Sequence, residues 1–200
     1  RLSVLWPDSS YLSLPPGNDG RALNDRSIVL RLDVPGFSAL FTGDIESDID
    51  ARIIRNISTP VDFLKTPHHG SKGSTSRALL NVLDPRVSVV SVGVKNTYGH
   101  PAAETLQRLG ERGAAVERTD LSGTVTITVP LQQPDQIKIR SGIGERLAPA
   151  RSAVGRRAPS AAAADALWPN RLASVGAVGG TSGCPIPRAR IRPWERHRSS

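Results

Sequence analysis

Hydrophobic positions in the first 134 residues change their spacing repeatedly, and each change predicts an element. Residues 27–34 and 37–42 are rich in apolar and β-branched side chains and flank Pro35-Gly36, which predicts two strands joined by a tight turn. From Ser47 the spacing becomes helical: Ile45, Ile49, Ile53 and Ile57 stand four apart, and Ser47-x-x-Asp50 offers a capping box. Residues 61–65 predict a short strand that runs into Thr66-Pro67-His68-His69-Gly70-Ser71, where Pro and Gly stop regular structure. A second helix opens at Ser74 to Ser76, carries Leu79, Leu80 and Leu83, and stops at Asp84-Pro85. Residues 87–92 read as a buried strand followed by a loop, 93–100. Pro101 then suits the first position of a third helix, which bears Leu106 and Leu109 and is ended by Gly110 and Gly113. Val116 and residues 124–129 close with strands. The order ββ-α-β-α-β-α-ββ predicts a layered α/β domain.

The remaining residues change the picture. Ala, Arg, Gly and Pro supply 36 of the 66 residues in 135–200 and no period persists, so this stretch reads as a disordered tail attached to a domain of residues 1–134. Residues 1–134 hold 14 basic and 14 acidic side chains, so the whole net charge of +8 belongs to the tail. A basic arm attracts nucleic acid or anionic lipid, but clustered Arg without interleaved aromatics is weak evidence of nucleic-acid readout, and a solvated extension without a partner is the favoured reading. An Ala/Arg-rich stretch from a shifted reading frame of a GC-rich gene is a third. No run approaches the roughly 18 apolar residues of a spanning helix. The start, Arg1-Leu-Ser-Val-Leu-Trp-Pro7, lacks both Met and a signal-peptide pattern, and the chain reads as truncated before Arg1. A single Cys184 leaves no internal disulfide partner, so metal chemistry has to rest on His, Asp and Glu.

Ligands of open α/β sheets gather beyond strand ends, and the loops holding Asp44, His68-His69 and Asn96 to His100 all follow predicted strands. A transition metal needs imidazole and carboxylate groups aimed at one point, and Asp44, His68, His69 and His100 supply them. Singly, each has an ordinary structural role: Asp44 as a helix cap, one histidine packed on backbone carbonyls, His100 beside a helix start. The alternative cap at Ser47 weakens that role for Asp44. The setting of Pro67 and Gly70-Ser71, with no stabilising role in the pattern, weakens it for the histidine pair.

Five separated motifs in order carry a resemblance. Asn24-Asp25-Arg26-Ser27, Phe41-Thr42-Gly43-Asp44, Leu64-Lys65-Thr66-Pro67-His68-His69-Gly70-Ser71, the run Ser91-Val92-Gly93 through Asn96 to Tyr98-Gly99-His100-Pro101, and Arg118-Thr119-Asp120 before Gly123 resemble the metallo-β-lactamase domain of ComEC-type competence proteins. The match covers roughly residues 3–130 and leaves the tail outside. It implies the second half of a metallo-β-lactamase-like αββα sandwich. It also implies a role in DNA uptake during natural transformation, with the intact protein a channel of the bacterial cytoplasmic membrane that carries this soluble domain as a metal-dependent nuclease acting on DNA, single strands foremost.

The resemblance further implies a pair of divalent ions, zinc or manganese. Asp44 matches the bridging carboxylate, and His68 or His69 the late histidine ligand. Asp25 and His100 match positions at the site's edge, suited to ligation, support of a ligand or phosphate contact. Lys65, Ser71, Lys72 and Asn96 are candidates for holding a phosphodiester. The family's first motif, His-x-His-x-Asp-His, is absent from all 200 residues. Little or no hydrolase activity is therefore expected of this chain alone, and the apolar faces of residues 27–42 and 87–92 are expected to lie partly uncovered. Two other readings use the same residues: a stand-alone phosphodiesterase or esterase, and a non-catalytic DNA-binding remnant in which the basic tail contacts phosphate.

Overall fold

The computed structural model describes residues 1–15 and 17–151. A strand not anticipated from the sequence, β1 (Leu2–Trp6), and two single-turn helices, α1 (Ser9–Leu12) and α2 (Gly20–Asn24), precede the expected hairpin of β2 (Val29–Val34) and β3 (Phe37–Phe41). β2 pairs antiparallel with both neighbours, from Leu2↔Leu32 on one side and Leu30↔Phe41 on the other. From β3 onward the chain alternates strand and helix. Helices α3 (Ser47–Ile54), α4 (Arg77–Leu83) and α5 (Ala103–Glu111) connect β3 to β4 (Phe63–Lys65), β5 (Val87–Val90) and β6 (Ala115–Arg118). These four strands run parallel, with Ala39, Phe63, Val87 and Ala115 in one row and Leu40, Leu64, Ser88 and Val116 in the next. The six-stranded sheet therefore has sequential order β1 to β6.

Adjacent rows point to opposite faces. On one face Leu40 and Leu64 are buried with Ile49 and Ile53 of α3, Leu79, Leu80 and Leu83 of α4, and Leu106 and Leu109 of α5. On the other, Phe37, Phe63, Val87 and Ala115 pack against Ile127, Ile137, Ile139 and Ala148. Ile127 and Ile139 belong to, and Ile137 and Ala148 directly flank, a second sheet that follows the one-turn helix α6 (Thr119–Ser122): β7 (Thr126–Thr128), β8 (Lys138–Ser141) and β9 (Gly144–Leu147), all antiparallel. Helices, central sheet and small sheet make a layered α/β fold. Among the described residues no helix is long and apolar enough to cross a membrane.

The structure corrects the expected boundary at 134/135. Residues 135–151 are folded onto the domain: the buried Arg86 guanidinium donates to Asp135 O (2.6 Å) and Pro149 O (2.8 Å), and Arg151 donates to Asp62 Oδ1 (2.9 Å). Ile137, Ile139 and the small Ala148 turn inward among polar neighbours, too sparse a pattern to stand out from an Arg-rich composition. The same hairpin covers Phe37 and Val87, in the stretches 27–42 and 87–92 whose apolar faces were expected to lie partly uncovered, while Leu2, Val4 and Ile28 stay exposed near the β1 edge. Residues 152–200, the rest of the expected tail, lie outside the described residues.

Two helix starts also differ. The capping box at Ser47 does not form: Glu46 is the N-cap of α3 without a side-chain cap bond, and Asp50 Oδ2 accepts from Ser76 N (3.0 Å) instead. Ser76 in turn caps α4, its hydroxyl accepting from Leu79 N (3.1 Å). Helix α5 begins at Ala103 rather than Pro101, because Pro101 packs on Gly70 and Ala102 N donates to Gly70 O (2.9 Å).

Two predictions follow from this packing. Replacing the buried Ile139 with Ala should cost about 2–5 kcal/mol in urea unfolding, and a cost of a few tenths would show that β8 does not bear on the core. Asp50 is 2% exposed, its Oδ1 lacks a hydrogen-bond partner, and burial pushes its carboxyl up to about 6 from an ordinary 3.8. Between those values the folded state holds a proton that the unfolded chain has released, so stability falls as pH rises through the window and levels off above it. The displacement corresponds to about 3 kcal/mol. Asp50→Asn keeps the acceptor for Ser76 without a charge to bury, so its stability relative to the parent should rise by about 3 kcal/mol between about pH 3 and 7. A pH-independent difference would contradict this.

Candidate functional site

Parallel strands place the segments that follow them at a common edge. Asp44 follows β3, His68 and His69 follow β4, and the loop 91–101 follows β5. The β3 exit depends on Gly43, whose φ is +55° and whose position would bring a Cβ within 2.5 Å of Ser27 Cβ. That close approach lets Ser27 Oγ accept from Asp44 N (3.0 Å). After β4 the 3-10 turn Pro67–Gly70 carries three consecutive positive φ values: His68 at 44°, His69 at 51° and Gly70 at 79°. A side-chain-bearing residue in this region costs about 1–2 kcal/mol. Hydrogen bonds over-determine the turn: His68 N donates to Gly43 O, Ser71 N to His68 O, and Ser74 Oγ to Pro67 O.

The left-handed turn sends the two imidazoles to different partners. His69 Nδ1 lies 2.6 Å from Ser91 O. A carbonyl only accepts, so Nδ1 carries a proton and Nε2 is the ring nitrogen turned toward the site. That Nε2 stands 3.5 Å from Asp44 Oδ2. The other oxygen of Asp44 is 3.3 Å from Lys65 Nζ, which also donates to Gly43 O (2.9 Å). His68, in contrast, is engaged at both nitrogens: Nδ1 lies 2.5 Å from Glu46 Oε1, and Nε2 faces Asn24 Nδ2 at 3.5 Å.

Glu46 was not singled out by sequence reasoning, and it organises the inner part of the site. It takes His68, accepts from Ser71 Oγ (3.2 and 3.4 Å), and donates its own backbone N–H to Asp25 Oδ1 (3.3 Å). With Arg21, Asn24, Ser47, His68 and Gly73 it lines a cavity of about 310 Å³. Its one sequence signal is a second carboxylate two residues after Asp44.

The other expected residues have more local partners. Asp25 is buried, which raises its carboxyl above the usual range, and its carbonyl accepts from Trp6 Nε1 (2.6 Å). Ser71 is buried behind Glu46. Lys72 pairs with Glu104 (2.7 Å). Asn96 closes its own loop, donating to His100 O (2.8 Å) and accepting from His100 N (3.0 Å). His100 lies edge-on to His68 with ring centres 5.5 Å apart, and burial followed by the neighbouring His68 and His69 holds it below the usual histidine range. Asp44, Lys65, His68, His69 and His100 thus share one edge, Asp25 and Ser71 support Glu46, and Lys72 and Asn96 are occupied elsewhere.

Among the described residues no three His, Cys, Asp or Glu side chains converge as a metal site. Asp44 and His69 fit part of one. Two ligands about 2.0–2.2 Å from a tetrahedral ion lie about 3.3–3.5 Å apart, and the pair stands at 3.5 Å. A carbonyl on the remote imidazole nitrogen is the support that metal-bound histidines carry. His68 and Asp25, also expected as ligands, are both engaged with Glu46.

Comparison with known proteins places the chain beside competence proteins. It is 36% identical over 112 residues to ComE operon protein 3 of Bacillus subtilis, covering 56% of this chain and 14% of that protein. It is 36% identical over 123 residues to Recombination protein 2 of Haemophilus influenzae, covering 61% and 16% respectively. Competence protein ComA of Neisseria gonorrhoeae is 35% identical over 104 residues, 51% of this chain and 15% of that protein. No family model matches. The chain therefore spans about one seventh of the length of the curated relatives it resembles, all three of them ComEC-type competence proteins.

Proposed function

We propose that this chain is part of a metal-dependent, nuclease-like hydrolase module of the DNA-uptake machinery of natural transformation, with a metallo-β-lactamase-like fold and a membrane channel elsewhere in the same protein. The observation that carries the reading is the Asp44–His69 pair, a carboxylate and an imidazole nitrogen 3.5 Å apart at the carboxyl edge of parallel strands. The similarity to three competence proteins supports DNA as the substrate.

Asp44 and His69 would hold a divalent ion, zinc or manganese. When bound, one or two such ions polarise a phosphoryl oxygen and lower the pKa of water to near neutrality. The chain's own groups do the rest. Ser91 O fixes the His69 tautomer, and Ser27 Oγ and Lys65 Nζ fix the two ends of Asp44. Lys65 also places a positive charge beside the carboxylate, where it can attract a phosphodiester. His68 and Glu46 keep the left-handed turn in place from behind.

The test is cleavage of single-stranded DNA by the full-length gene product with added manganese or zinc. Asp44→Ala and His69→Ala should each reduce cleavage about 100-fold or more. Cleavage that needs no added metal, or that survives Asp44→Ala, would overturn the reading.

A further inference from the structure

Tyr98 lies at this edge and has no role in the fold or in the site as described so far. It is 82% exposed, on a loop whose Val94 is 76% exposed. Large apolar surface left open in this way is informative when it is held in place rather than loose. The Tyr98 ring lies parallel over His100, with ring centres 6.1 Å apart and planes 17° apart, and His100 lies edge-on to His68. The loop beneath is stapled by Asn96, through Gly93 O (3.2 Å), His100 O and His100 N. Val92 N donates to Thr119 Oγ1 (2.8 Å) and anchors the loop to the end of β6. Three aromatic rings thus run in a chain from the buried side of the site to solvent, and the outermost offers a flat face.

An exposed phenol set parallel to His100 at the edge of a phosphodiester site suits one kind of partner. Bases of a duplex are already stacked on each other, whereas an unpaired base gains about 1–3 kcal/mol from an aromatic face whatever its identity. Lys95, exposed on the same loop, adds a positive charge suited to the adjoining backbone.

We propose that Tyr98 is a stacking platform for an unpaired base of single-stranded DNA, which sets the strand against the Asp44–His69 edge. This rests on the reading of the site as nuclease-like, but it concerns binding and is tested without metal.

The experiment measures fluorescence anisotropy of labelled oligothymidylate and of an abasic oligonucleotide of the same length, in EDTA, with the 200-residue chain. Phosphate contacts of the Arg-rich C-terminal residues act on both probes alike, so the ratio of the two affinities reports the base. The parent should prefer oligothymidylate. Tyr98→Ala and Tyr98→Leu should reduce that preference about tenfold or more, and Tyr98→Phe should keep it. Leucine retains apolar cover over His100 but offers no ring face, so restored preference in Tyr98→Leu would mean that Tyr98 only shields His100 and would overturn the proposal. A parent that binds both probes equally, or a preference unchanged in Tyr98→Ala, would overturn it too. A failed cleavage assay with base preference intact counts against the nuclease reading alone.

Discussion

Parallel alignment of β3, β4 and β5 is the constraint on which the rest of this molecule depends. Adjacent parallel strands in level register deliver the chain to one edge three times, so residues 44, 69 and 91 meet although they are far apart in sequence. Thr42 Oγ1 donates to Lys65 O (2.8 Å) and Thr66 N to Val89 O (2.9 Å), which holds the strand ends level. The same alignment puts all three crossover helices on one face and leaves the other to the small sheet.

Two adjacent histidines acquire different roles through backbone conformation alone. Both rings sit beside a carboxylate, Glu46 for His68 and Asp44 for His69. The left-handed φ values of the turn separate them. His68 is turned inward, where Glu46 and Asn24 engage both nitrogens, and His69 outward, where one nitrogen is fixed by a carbonyl and the other faces Asp44. The strain is sustained by what surrounds it. Gly70 packs without a Cβ against Pro101, and Arg108 donates to the carbonyls of Lys72, Ser74 and Thr75, fastening the segment that follows the turn. Asp50 then ties the start of α4 to α3.

Much of this was legible in the sequence where periodicity is strong. The isoleucines of α3 and the leucines of α4 and α5 mark one buried face, and the hairpin at Pro35-Gly36 forms as expected. What was not legible is set by long-range contact. Asp50 looks like a capping-box residue for its own helix but serves Ser76, 26 positions away. β1 is an edge strand with two exposed apolar residues, and β8 turns only Ile139 inward, so neither has enough alternation to be seen. The edge that gathers Asp44, His68, His69 and His100 could be anticipated because each follows a strand. The division of labour between the two histidines could not, since it depends on φ angles and on the Ser91 carbonyl. Nor could the part played by Glu46, whose partners lie more than 20 residues away.

The central claim is that His69, not His68, presents its Nε2 to Asp44, with Nδ1 tied to the Ser91 carbonyl. Nitrogen-15 NMR of the imidazole side chains at neutral pH reads this directly, because bare and protonated ring nitrogens resonate apart. His69 should hold a proton on Nδ1, and on adding zinc its Nε2 signal should shift, a shift that is lost in Asp44→Asn while the His68 signals stay in place. A His69 ring without a proton on Nδ1, or a zinc-induced shift centred on His68, would contradict it.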